Sequence, residues 1–74
     1  MLIIYSDGLV EPRNPGGVGA WGWAANRDGK EITYQFGAEI ENPTNTNNKF
    51  EYLAIIRAIA WVWKFELYEE EILF

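Results

Sequence analysis

The chain has 74 residues, 49% of them hydrophobic, and a formal net charge of −5; at this length it forms one domain and buries only about 60% of the surface its unfolded form exposes. It contains neither cysteine nor histidine, which excludes disulfides, thiol nucleophiles, serine–histidine catalysis and the common zinc sites. Any chemistry must rest on carboxylates, hydroxyls, amides, Lys, Arg or a hard metal ion, and an acidic chain needs a local device such as metal ions to bind a polyanion.

No stretch reaches the roughly 18 apolar residues of a membrane span, and the short apolar start lacks a basic flank. The expectation is a cytoplasmic protein with no membrane partner. Residues 2–5, LIIY, make a β-favouring run ended by Ser6, Asp7 and Gly8, which suits a short buried strand. Asp7 is thereby predicted at a strand tip, where open α/β sheets place ligand sites; an Asp-Gly turn is the competing reading. Residues 11–17, EPRNPGG, are loop material.

Strand pattern resumes at Val18. Trp21 and Trp23 alternate with small residues, then Ile32, Tyr34 and Phe36 alternate with Thr33, Gln35 and Gly37, with NRDG between the two runs. This spacing predicts a β-hairpin. Residues 41–48, ENPTNTNN, are polar and turn-prone, and a long helix is predicted over 49–65 with Asn48 as its N-cap.

On that helix Lys49, Arg57 and Lys64 form one seam, interrupted by Leu53 and Ala60, and nearly all the remaining circumference is apolar. Such a helix needs cover on more than one side. Glu51 heads a stripe of Ile55, Ala58, Val62 and Phe65, predicted to pack on the sheet. The competing reading puts Glu51 at the third position of a capping box begun by Asn48. Residues 69–71 read as a solvated acidic connection into a last strand, 72–74. Three antiparallel strands, one helix and a fourth strand returning parallel to the first by a right-handed crossover give an α/β layer arrangement.

Asn14, Thr46, Asn47 and Asn48 could offer neutral hydrogen bonds to sugar or phosphate oxygens, but the same residues build ordinary turns and caps. Trp21, Trp23, Trp61 and Trp63 could stack on bases, although a strand and an apolar helix favour core packing for them. The Lys49, Arg57 and Lys64 seam is most simply a solvated face, with contact to a phosphate backbone as the alternative.

Taken in order, YSDG, then NPGG followed by GAWGW, then a hairpin, then TNNKFEYLAIIRAI resemble the N-terminal half of a type 1 ribonuclease H. The resemblance spans residues 1–74 and implies a single, partial ribonuclease H-like domain. It implies an endonuclease in which four acidic residues hold two divalent ions, Mg²⁺ or Mn²⁺, and cleave the RNA strand of an RNA–DNA hybrid. By motif, Asp7 resembles the first of the four, bridging both metals, and Glu51 the second. Asn14, Asn47 and Asn48 match positions that contact the hybrid, and Thr46 one near a phosphate.

Several family features have no counterpart in these residues: the third and fourth carboxylates, the later helices, the basic handle of some members and a histidine. The loop before Asn14 is also a residue longer than usual, and Arg13 is unusual there. Two expectations result. In one, the chain is part of a metal-dependent nuclease whose remainder completes the site, so that alone it holds metal weakly and cleaves poorly. In the other, it is a non-catalytic, self-associating module, a homodimer that covers the exposed sides of its helix.

Overall fold

The computed structural model describes every residue except 66, 68 and 69. Strands β1 (Leu2–Glu11), β2 (Val18–Arg27), β3 (Lys30–Glu39) and β4 (Ile72–Leu73) and one helix, α1 (Asn47–Lys64), form a two-layer α/β unit. The strands make one sheet in the order β3-β2-β1-β4. β1, β2 and β3 are antiparallel, and β4 lies parallel to β1 through Leu2 with Ile72 and Ile3 with Leu73. This is the predicted topology.

The β2–β3 turn shows why the hairpin was readable. Its two central residues, Asp28 and Gly29, have φ of +52° and +84°, the pair of positive values that a two-residue turn needs to match the twist of its strands. A register shift at Ala25/Asn26 then leaves Ile32 out of the pairing.

β1 corrects the prediction of a strand ending at Asp7, since it runs on to Glu11 and places Asp7 in mid-strand, opposite Gly22. Leu2, Ile4, Gly8 and Val10 are buried, while Tyr5, Asp7 and Leu9 are exposed. A strand with one covered face requires apolar or small residues only at alternate positions, so an outward aspartate does not end it.

The helix begins earlier than predicted. Thr46, in extended conformation, is the N-cap, and its Oγ1 accepts the Lys49 N–H at 3.1 Å. Asn48 therefore lies inside the first turn and Glu51 beyond the third capping position, so the capping-box reading fails. The buried stripe is Phe50, Ala54, Ala58 and Val62, not the one headed by Glu51; Glu51, Ile55 and Phe65 are exposed. Ala54 and Ala58 have no side chain beyond Cβ, so the helix lies close on the sheet. Beneath it Leu2, Ile4, Trp23 and Ala25 join Ala58 and Val62 in the core. Full burial of one such Leu or Ile contributes about 1.5–3 kcal/mol.

Trp23 is buried and packs on Trp61 with ring centroids 5.1 Å apart, and Trp21 is half-buried beside them. Trp63 does not share this core environment and is 70% exposed. The predicted solvated run at 69–71 is corrected at Glu70, whose two oxygens accept from Arg27 at 2.9 and 2.7 Å; Glu69 lies outside the described residues.

Candidate functional site

The first turn of α1 meets β1 almost backbone to backbone. A Cβ on Gly8 would fall on the Phe50–Glu51 peptide itself, and one on Gly19 would fall in the Phe50 ring. Only glycine permits this approach. It places the residue that follows Asp7 directly against the residue that bears the second carboxylate.

The edge on which this happens follows from the hydrogen bonds of β1. β4 pairs only with Leu2 and Ile3, so beyond them the β1 edge facing away from β2 carries no strand among the described residues. Leu2 N–H donates across that edge to the Glu71 carbonyl at 2.9 Å. Val10 N–H donates at 2.8 Å to Oδ1 of Asn47, on the helix. Backbone groups of an extended strand alternate sides, and the register from Leu2 to Glu11 is unbroken, so Gly8 N–H leaves the same edge. It donates to Oδ1 of Asp7 at 2.9 Å. The Asp7 carboxylate is thus held beside the Gly8 N–H at this edge, and both Asp7 and Glu51 are exposed.

Amides fasten this corner. Oδ1 of Asn14, in the β1–β2 loop, accepts the Asn47 N–H at 3.2 Å. Each of these two asparagines therefore spends its oxygen on the scaffold and keeps its side-chain NH₂ as a donor. Thr46 is the cap described above. The Asn48 side chain is exposed and makes no hydrogen bond among the described residues. Asn14, Thr46, Asn47 and Asn48 thus lie at the Glu11 end of β1, Asn48 next to Asn47 in the first helical turn, and the Gly8 contact sets the Glu51 peptide against the residue after Asp7 further along the strand.

One residue of this corner escaped the sequence reading. Asn45 is fully buried; its Nδ2 donates to the carbonyls of Gly17 at 2.9 Å and Ile40 at 3.0 Å, and its Oδ1 accepts from Lys49 Nζ at 3.3 Å. Its backbone carbonyl also accepts the Gly16 N–H at 3.0 Å. It ties the loop bearing Asn14 to the segment that leads into α1. The only signal was one more asparagine in a polar run, which does not distinguish a buried clamp from a turn.

The donor set is two carboxylates, and among the described residues no group of three or more His, Cys, Asp or Glu residues is placed to share a metal. Two exposed carboxylates fit Mg²⁺, which is commonly bound by one or two carboxylates together with waters and substrate phosphates. Among the described residues no helix is long and apolar enough to cross a membrane.

No family model matches the chain. Among solved structures, the chain is similar to LC11-RNase H1, isolated from compost by a metagenomic approach, with a TM-score of 0.80 and 28% identity. The match covers 96% of this chain and 49% of that one, so the chain spans about half the length of the structure it matches. Its fold is a ribonuclease H-like half-fold, and the chain resembles the N-terminal half of a type 1 ribonuclease H.

Proposed function

We propose that the chain supplies the first two carboxylates and part of the substrate surface of a metal-dependent ribonuclease acting on the RNA strand of RNA–DNA hybrids. The observation that supports this reading is the close approach of Gly8, the residue after Asp7, to the Phe50–Glu51 peptide, which sets the backbones that carry the two acids against each other. The likeness to a ribonuclease H1 structure supports the substrate class.

A divalent ion held by Asp7 and Glu51 would polarise the scissile phosphate and activate water. The chain's own residues position that chemistry. Gly8 N–H fixes one oxygen of Asp7 and leaves the other for coordination. Asn14 and Asn47 present NH₂ donors suited to phosphate oxygens or a 2′-hydroxyl, the group that distinguishes RNA from DNA, and Asn48 adds a further amide beside them.

Titration with Mn²⁺, followed by paramagnetic broadening of amide resonances, tests this. Broadening should centre on Asp7, Gly8 and Glu51, and Asp7→Asn or Glu51→Gln should each weaken it at least about tenfold, the loss of one charged ligand. Broadening elsewhere, or unchanged in both variants, would overturn the assignment. With only two of the carboxylates, the 74-residue chain should turn over an RNA–DNA hybrid poorly or not at all, and robust turnover would show that the site has other members.

A specific observation also favours self-association. Tyr52, Ile56, Ile59 and Trp63, at spacings of four, three and four, are 66, 60, 49 and 70% exposed along one face of α1. Contiguous apolar surface of this kind marks an interface. Sedimentation equilibrium should therefore show a dimer that Ile56→Glu disperses; a strictly monomeric wild type removes this second reading.

A further inference from the structure

At the opposite end of α1 lies a groove that the nuclease reading does not use. It opens between the C-terminal half of the helix and β3, has a volume of about 380 Å³ and has Trp23, Gln35, Arg57, Trp61, Lys64 and Phe65 in its lining. That volume is within the usual range for small-molecule sites. Along the helix axis Arg57 is six residues from Glu51, about 9 Å, and Lys64 13 residues, about 20 Å, and neither Asp7 nor Glu51 lines the groove.

We propose that this groove binds a nucleotide unit, a planar base carrying a phosphate. The chain has 11 acidic and six basic residues, yet among the described residues no acid lines the groove. Arg13 and Arg27 face Glu41 and Glu70, and Lys49 reaches Asn45. Arg57 and Lys64, like Lys30, form no ion pair among the described residues. Each lies over an aromatic ring instead, Arg57 at 5.4 Å from the centroid of Trp21 and Lys64 at 5.7 Å from that of Phe65.

Seven residues apart, they lie on the same flank two turns from each other, about 10 Å along the axis. Between them Trp61 packs edgewise on Phe65, centroids 6.1 Å apart at 50°, and both rings retain exposed surface. Gln35 uses its oxygen to accept Trp23 Nε1–H at 3.2 Å, so its NH₂ remains a donor. The lining therefore combines π-faces, two cations and a neutral donor. Aromatic faces stack bases with little regard to sequence, and a guanidinium fork matches phosphate oxygens. A ligand that satisfies both is a base joined to a phosphate.

The ligand chemistry has two sources, a free mononucleotide or a nucleotide in a single strand. The test titrates the 74-residue chain with uridine 5′-monophosphate and, separately, with a short oligouridylate, following the tryptophan indole N–H resonances. Saturable shifts of Trp23 and Trp61 are expected. Uridine alone and inorganic phosphate alone should each bind at least about tenfold more weakly than the nucleotide, since each keeps only half of the contacts. Arg57→Gln with Lys64→Gln should weaken nucleotide binding at least about tenfold, and Lys64→Gln alone gives the reading if the double variant loses its native circular dichroism.

Tighter binding of the oligomer assigns the site to a strand, and equal binding to the free nucleotide. Glu51→Gln should leave binding unchanged, so failure here and failure of the nuclease reading are told apart. The proposal is overturned if neither ligand shifts the two indoles, if uridine binds as well as its phosphate, or if the charge-removing variants bind normally.

Discussion

The two ends of α1 meet the sheet by different means. At the N-terminal end the contact is main chain on main chain, with Gly8 against the Phe50–Glu51 peptide, Gly19 under the Phe50 ring, and the amides of Asn14, Asn45 and Asn47 closing the corner. At the other end the contact is through side chains, with Ala58 and Val62 on Leu2, Ile4 and Ala25, and Trp61 against Trp23. Side-chain packing yields to substitution by repacking, whereas two backbones in contact have nothing to repack. The first kind of contact sets stability; the second also sets position, and the candidate carboxylates sit on it.

The strongest way to break this comparison is Gly8→Ala. The new Cβ cannot share space with the Phe50–Glu51 peptide, so the helix must move off β1, at a cost of about 1–3 kcal/mol or more, typical of overpacking. Because the displaced peptide carries Glu51, Mn²⁺ broadening should fall as well. Val62→Ala at the far end should lose about 1–2 kcal/mol for its missing methyl groups and cavity, with Mn²⁺ broadening unchanged. Urea denaturation and the Mn²⁺ titration on both variants decide the matter. Equal loss of metal affinity in the two would show that the ends do not differ as described.

The same contrast explains what could be read from the sequence. The hairpin, the helix and the parallel return of β4 were legible because alternation, the Asp28-Gly29 turn and the apolar run each point one way. The inward stripe of α1 was not. Where almost every flank is apolar, polar residues give no contrast by which to orient the helix, and the true contact stripe is marked by small Ala54 and Ala58 and not by large apolar residues. The pair Asp7 and Glu51 was suggested by motif, but what brings the Glu51 peptide against the neighbour of Asp7 is the emptiness of Gly8. A glycine in a strand reads equally well as a turn, which is why β1 was predicted to stop there.

Arg27 and Glu70 offer a finer test at the side-chain end, where they join the last residue of β2 to the segment before β4 through a two-pronged ion pair. The hydrogen bonds and charge of Arg27 hold the Glu70 carboxyl below its ordinary value, about 4.3 for an unperturbed glutamate. A group whose folded value is depressed binds fewer protons when folded, so its contribution is complete above the unfolded value and disappears as pH falls through the folded one. Stability attributable to the pair should therefore be level from neutral pH to about 5 and decline below about 4. The pair is partly exposed, with side chains 40 and 27% accessible, so the effect is the smallest of the series and salt should reduce it. Comparing urea midpoints of wild type and Glu70→Gln at neutral pH and near pH 3 isolates this group, because acid titration of all other carboxylates is common to both. The gap between the two proteins should narrow in acid. A constant gap would mean that Glu70 acts through packing alone, and that the side-chain end of the helix layer depends on no charge.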